Sequence, residues 1–255
     1  MTEKHSRIAI VTGGSSGIGR SIVEKLLSDE IAVAAISRDP SKLQIESTAL
    51  LKIKGDVTDP ESIKLALERI RGFFLTSAID ILVNNAGISG PIKPTPKVSL
   101  KEWNQTLMVN LTGAFLCTKY VIPKMIATRN RGRIVNISSM VGKNAASFRA
   151  AYSASKMALI GFTRALSAEL GTYGITVNAV CPGPVEGSRI EEVIAASAKA
   201  HGQTKEQLRK QLVERSSLKR MAKPEEVAAL VSFLVSREAA SITGQDLNVN
   251  SGSGA

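Results

Sequence analysis

Tyr152 and Lys156 are the residues whose types and spacing best suit acid/base chemistry. They lie four apart, so on a helix they share one face and their side chains can meet. A phenol titrates near ~10 and is a poor base at neutral pH. A neighbouring ammonium favours the phenolate and makes such a tyrosine a usable proton donor and acceptor. Taken alone, Tyr-x-x-x-Lys is also a common helix-surface pair. A second feature is the run Thr12-Gly13-Gly14-Ser15-Ser16-Gly17-Ile18-Gly19. Glycines let the backbone turn tightly and approach a pyrophosphate closely, and a following helix presents free N–H groups and a positive dipole end to that anion. A glycine triplet by itself is a weak signal, but here it stands between a strand pattern and a helix pattern.

The elements that must position these residues alternate along the chain. Short apolar runs predict strands at Arg7–Thr12, Ile31–Ile36, Leu50–Lys54, Ile79–Val83, Arg133–Ile137, Ile175–Val180 and Asp246–Val249. Helical spacing runs through Ile18–Ser28, Glu61–Phe74, Leu100–Ala127 (as one helix or two), Ala151–Leu170, Glu191–Leu212 and Pro224–Ser236. Residues 88–98 carry three prolines and read as a loop. Strands apolar on both faces and alternating with helices imply an α/β fold: a doubly wound parallel sheet of Rossmann type, about seven strands, with helices on both faces. No boundary, repeat or low-complexity segment divides residues 1–255, so one domain is expected.

The bulk composition narrows the function classes. With 255 residues, 44% of them hydrophobic and 22% charged, the chain can bury a large core and is not a disordered segment. The net charge of +11 would suit nucleic acid, an anionic surface or an acidic partner, and also plain solubility. Aromatics are only 4% and no basic aromatic stripe occurs, so stacking on single strands is disfavoured and no nucleic-acid partner is expected. Cys117 and Cys181 sit in apolar surroundings and read as free buried thiols, in keeping with a reducing compartment. No long apolar stretch precedes the first glycine turn and no run of about 18 apolar residues exists. A cytoplasmic protein without membrane span or metal centre is expected.

Five segments in order resemble the short-chain dehydrogenase/reductase family: the glycine run with its G-x-x-x-G-x-G spacing, Asp56-Val57, Asn84-Asn85-Ala86-Gly87, Tyr152-Ser153-Ala154-Ser155-Lys156 and Pro182-Gly183. The resemblance covers residues 7 to about 250. It implies an oxidoreductase that interconverts a ketone and a secondary alcohol. Gly13, Ser15, Ser16, Gly17, Ile18 and Gly19 would cradle the dinucleotide. Asp56 would meet the adenine amino group with Val57 beside the ring, and Asn84, Ala86 and Gly87 would line the cofactor cleft. Asn84 could equally be a polar strand end. Tyr152 would protonate the carbonyl oxygen, Lys156 would hold Tyr152 and the nicotinamide ribose, and Ser139 would steady the oxygen. Ser138 is the rival, and the spacing to Tyr152 that the family shows favours Ser139. Asn110 would hold a water that passes protons toward Lys156, unless it is a helix-kinking or capping residue.

The end of the second strand decides the cofactor. An NAD site places an acid there, whereas an NADP site has a small residue with an arginine nearby. Here Ser37 and Arg38 occupy those positions, and Arg38 could grip a phosphate bidentately. Asp39 complicates the reading, but NADP(H) is favoured over NAD(H).

Two departures stand out. Gly187, followed by Ser188, replaces the threonine that usually follows Pro182-Gly183, while the Val185 N–H could still meet the nicotinamide amide. The family's mobile substrate lid falls at about 184–220, where basic residues outnumber acidic ones, as befits an anionic substrate, an acidic carrier protein or a solvated helix face. The pattern is closest to β-ketoacyl-acyl-carrier-protein reductases, and Arg129, Arg131 and Arg133 could face the carrier. Against this, Tyr173 stands where those reductases usually carry an arginine. A dehydrogenase of a sugar, polyol or other small alcohol is the alternative, and a catalytically idle nucleotide-binding scaffold a more remote one. The resemblance also implies a homo-oligomer, a tetramer, packed through residues 100–127 and 151–171.

Overall fold

A computed structural model describes residues 7–76, 78–128, 132–144 and 146–254. Among these residues the strands are β1 (Ile8–Thr12), β2 (Ala32–Ser37), β3 (Leu50–Lys54), β4 (Ile81–Asn84), β5 (Arg133–Ile137), β6 (Thr176–Pro182) and β7 (Asp246–Val249). They form one seven-stranded sheet in the order β3-β2-β1-β4-β5-β6-β7, with every neighbouring pair parallel. The order reverses between β1 and β4, and such a reversal opens a crevice at the carboxyl ends of the strands.

The period of two along each strand divides the core into two layers. Ile8 and Ile10 of β1 join one apolar cluster, and Ala9 and Val11 join the other. The first layer takes Ile63, Leu67 and Ile70 of α2 (Pro60–Phe74), Cys117, Val121 and Met125 of α4 (Gly113–Thr128), and Leu166 and Leu170 of α6 (Ala150–Leu170). The second takes Ile22, Val23 and Leu26 of α1 (Gly17–Ser28) and Val227, Val231 and Leu234 of α9 (Pro224–Val235). Each such buried side chain contributes roughly 1.5–3 kcal/mol. Burial also pushes the Cys117 thiol up to about 12, which leaves it unreactive.

The strand and helix expectations hold to within a few residues, with three differences. The helical stretch from residue 100 is α3 (Leu100–Leu107) continued through a π-turn, Met108–Thr112, into α4. The stretch expected as one helix from 191 to 212 is two, α7 (Ser188–His201) and α8 (Lys205–Glu214). Gly202 adopts φ 66°, which ends α7, and Thr204 with Gln207 forms a capping box that starts α8. A one-turn helix, α5 (Met140–Lys143), is too short to show a period and was not expected. No described helix is long and apolar enough to cross a membrane.

Candidate active site

The glycine run connects β1 to α1 at the mouth of the crevice. Gly13 has φ 64°, and its N–H donates to the Ile36 carbonyl at 2.7 Å, which fixes the turn against β2. A Cβ on Gly19 would lie 2.2 Å from the Gly13 carbonyl oxygen and 2.4 Å from Asn85 Nδ2. Gly17, with φ 50°, is different: a Cβ there would meet nothing within 4 Å. Its surroundings are open space at the N-terminus of α1. The N-cap Ser16 makes no side-chain cap bond, and no acid occupies the first turn. The free N–H groups are thus directed at an open cradle that suits a pyrophosphate. Ser15 is half-buried, Ser16 and Gly17 are exposed, and Ile18 packs partly on the core beneath.

The turn is held by a residue that the sequence reading quoted but did not single out. Asn85 Nδ2 donates to the carbonyls of Thr12 at 2.9 Å and Gly13 at 3.1 Å. The N–H groups of Asn85 and Ala86 both donate to Thr12 Oγ1 at 3.1 Å. Thr12 and Asn85 therefore lock the loop after β4 onto the glycine turn. Gly19→Ala is expected to break this lock, with a stability loss of about 1–3 kcal/mol and weaker dinucleotide binding. Thermal melting and a cofactor titration check it; wild-type values for both would contradict the role of the Asn85 contact.

Asn84 lies elsewhere. Its side chain is buried and donates to Thr118 Oγ1 at 3.0 Å and Asn136 Oδ1 at 2.8 Å, tying β4 to α4 and β5. Its placement is that of a polar strand end in the interior. Ala86 and Gly87 do follow β4 at the cleft, and a Cβ on Gly87 would sit 3.1 Å from Asn110 Oδ1 and 3.5 Å from Lys156 Nζ.

The adenosine end is formed by β2 and β3. Ser37 is buried at the end of β2 and accepts the Gly55 N–H at its carbonyl, while Arg38 is exposed. Asp39 is engaged by the Ser41 hydroxyl at 2.5 Å and by Lys42 at 3.6 Å, and the Ser41 bond foremost lowers its pKa. Asp39 is thus engaged by Ser41 and Lys42, and Arg38 makes no ion pair among the described residues. Asp56 accepts the Thr58 N–H and hydroxyl through one carboxylate oxygen, at 2.9 and 2.8 Å, and the other oxygen takes no bond from a described residue. Val57 is nearly buried, packed against Gly113 at the start of α4.

The catalytic candidates converge at the ends of β5 and α6. Lys156 is fully buried and donates to the Ile137 carbonyl at 2.7 Å. Burial, and after it the charge of Arg189, lower its pKa to about 7, with Cys181 acting weakly the other way. Tyr152 is half-buried on the same helix face, with Lys156 Nζ 5.8 Å from its ring centroid. Ser138 spends its hydroxyl on the Lys156 carbonyl at 2.8 Å. Ser139 accepts the Val141 N–H at 3.2 Å as N-cap of α5, so its own proton is available to donate. Asn110 sits in the π-turn, the kind of widened turn that often marks a functional position. Its amide bonds both the N–H and the carbonyl of Ile88, at 2.8 and 3.0 Å, and also Ser155 Oγ at 3.0 Å.

At the far side, Pro182 ends β6, and a Cβ on Gly183 would lie 2.8 Å from Asn250 Cβ. Val185 forms a bridge with Ala222, flanked by Glu186 N–H donating to the Ala222 carbonyl. Gly187 has φ 132° and caps α7 without a side chain, and Ser188 is the first residue of that helix. Helix α7 reaches back to the cleft: Arg189 Nη2 donates to the Gly87 carbonyl at 3.0 Å, and His201 packs on Phe148 with ring centroids 4.7 Å apart. Neither contact was visible in the sequence, because each joins residues far apart in the chain. One surface expectation is corrected. Arg133 is buried within β5 and donates to the Gly132 carbonyl, so it cannot face a carrier protein; Arg129 and Arg131 lie outside the described residues.

The comparisons agree with this geometry. A family model described as short chain dehydrogenase matches residues 7–198. The chain is 40% identical to a 3-oxoacyl-acyl-carrier-protein reductase of Aquifex aeolicus, over 96% of both chains. It superposes on a variant of actinorhodin polyketide ketoreductase solved with NADPH, with a TM-score of 0.91, 34% identity and coverage of 100% and 99% of the two chains. It superposes equally on NAD+-bound xylitol dehydrogenase, TM-score 0.91, at 27% identity and 98% and 100% coverage.

Proposed function

The chain belongs to the short-chain dehydrogenase/reductase family of oxidoreductases, and we propose that it is an NADP(H)-dependent ketoreductase of 3-oxoacyl compounds, thioesters among them. The observation that carries the reading is Lys156 buried beside the Tyr152 ring and bonded to the end of β5, two residues before Ser139, with an open glycine cradle in the same crevice. Gly13, Ser15, Ser16, Gly17, Ile18 and Gly19 would hold the diphosphate, Asp56 and Val57 the adenine, and Gly87, Lys156 and Val185 the nicotinamide half. When bound, the dinucleotide supplies the hydride.

The residues of the chain do the rest. The Tyr152 hydroxyl donates its proton to the substrate oxygen as negative charge develops there. The Ser139 hydroxyl donates to the same oxygen, which lowers the barrier by a preorganised hydrogen bond. The Lys156 ammonium favours the phenolate left on Tyr152. Asn110 fixes the loop at Ile88 and so the wall opposite Lys156. In the reverse direction the phenolate of Tyr152 takes the proton of an alcohol.

NADP(H) is preferred because Arg38 is exposed and unpaired among the described residues, while Asp39 is occupied by Ser41 and Lys42. Arg38→Ala is expected to raise KM for NADPH by about 10-fold or more, the value of a charge-assisted phosphate contact, and to leave NADH nearly unaffected. An unchanged NADPH/NADH ratio would remove the preference. The thioester class rests on the 40% identity to the Aquifex reductase. A polyol or sugar substrate is the second reading, supported by the likeness to xylitol dehydrogenase and by Tyr173. NADPH consumption with S-acetoacetyl-N-acetylcysteamine, set against NADP+ reduction with xylitol, separates the two. A homo-tetramer packed through α4 and α6 fits the exposed Phe115 and Met157 on those helices.

A further inference from the structure

Arg149 precedes α6 by one residue and has no role in the chemistry above. Its guanidinium carbon lies 4.4 Å from the centroid of the Tyr152 ring. The residue is only 8% exposed, and its Nε is buried with no hydrogen-bond partner among the described residues. Nη2 makes one long bond, 3.4 Å, to the Ser89 carbonyl. A guanidinium offers five donors, and one long bond with a stacked ring leaves most of them unused. Stacking on an aromatic face offsets only part of what burying an unpaired charge costs. Burial indeed lowers the Arg149 pKa, and only Tyr152 acts against it.

A second arginine, Arg189, stands exposed near by. Arg189 reaches from α7 to the Gly87 carbonyl, two residues from the carbonyl that Arg149 meets. Lys156 lies buried 5.8 Å from the Tyr152 ring centroid and feels the Arg189 charge. Neither arginine forms an ion pair with any described carboxylate. The contact of His201 with Phe148 lays the end of α7 beside Arg149, where exclusion of water strengthens any charge pairing. Two basic side chains, Arg149 and Lys156, thus flank the Tyr152 ring, and no described carboxylate pairs with Arg149.

We propose that this cleft accepts an oxo acid, a ketone with a carboxylate two or three bonds from the reacting carbonyl, and that Arg149 binds that carboxylate. The inference rests on the ketoreductase reading and changes the substrate class only at the carbon that the thioester would occupy. A planar fork of N–H donors pairs with a carboxylate bidentately, which an ester or thioester cannot reproduce. In the reaction the C=O π bond breaks, hydride from NADPH forms the new C–H bond, and Tyr152 supplies the proton to oxygen. The carboxylate is unchanged, and the products are a hydroxy acid and NADP+.

The test compares acetoacetate with the neutral S-acetoacetyl-N-acetylcysteamine, both with NADPH, in wild type, Arg149→Met and Arg149→Lys. The expected wild-type ratio of kcat/KM favours acetoacetate at least 10-fold. Arg149→Met should bring the ratio close to one, and Arg149→Lys should restore part of it. A merely structural role would lower both substrates together and leave the ratio intact, which would overturn the proposal, as would a wild-type ratio near one. Malonate, which cannot be reduced, gives a second readout by calorimetry on the NADP+ complex, with binding at least 10-fold weaker in Arg149→Met. Malonate binding with that dependence, but no turnover of either ketone, would keep the anion site and remove the reductase reading. Thioester turnover without malonate binding would do the reverse.

Discussion

Tyr152→Phe lowers turnover by about 10³-fold, within the range that a positioned general acid contributes, while NADPH still binds. The substitution deletes one oxygen and keeps the ring over which the Arg149 guanidinium lies at 4.4 Å. The stacking, the helix and the glycine cradle therefore survive. Residual activity comes from Ser139, whose free proton still meets the carbonyl oxygen. Consumption of NADPH with the acetoacetyl thioester measures the loss, and fluorescence of bound NADPH measures the retained binding. Turnover within a few-fold of wild type would remove Tyr152 from the mechanism and leave the chain a cofactor binder with another proton source.

Lys156→Met is the second large effect, and it should appear in two independent ways. Turnover falls by about 10²-fold or more, because the phenolate of Tyr152 loses its nearby ammonium. Stability changes with pH as well. The folded-state pKa of Lys156 is about 7, below its ordinary value of 10.5. Between those two values the unfolded chain holds the proton and the folded chain does not. Stability from this group therefore rises as pH increases from about 7 toward 10.5, by at most about 1.4 kcal/mol per pH unit. The cofactor-free Met variant should lack that rise, and melting temperatures at several pH values would reveal it. In kcat/KM for NADPH, which reports the free enzyme, activity should fall as pH climbs through about 7 and the ammonium is lost. Arg189→Gln should move that limb upward, since the Arg189 charge is one cause of the depression. Parallel stability profiles for wild type and Lys156→Met would mean that the lysine titrates outside this range.

The sheet was legible because its strands are buried on both faces. A run such as Ile8–Thr12 must then be apolar throughout, and the pattern stands out against the helical spacing around it. Tyr152, Lys156 and the glycine turn were legible because their partners are local: one helix turn, or one strand–turn–helix. Contacts between distant segments could not be read in this way. Asn84 and Asn85 are adjacent in sequence, yet one is turned inward to Asn136 and the other outward to Thr12 and Gly13. Only the direction of the strand end decides which does what. Arg133 looks like a surface cation in sequence, but its place in β5, between β4 and β6, buries it. Arg149 and Arg189 acquire meaning only when the loop at Gly87–Ser89 is brought beneath both.

The segment after β6 rests lightly on the body. Its second helix, α8, has no buried residue, and α7 buries only Ile194 and Ala198. Most substitutions there leave the sheet, its two apolar layers and the dinucleotide cradle as they were. The segment expected from the family resemblance to cover the substrate is thus the one whose drift burdens the fold least. A lineage of such proteins can wander from one substrate to another through intermediates that all still fold and still hold their cofactor, and the chemistry is inherited intact while the diet changes.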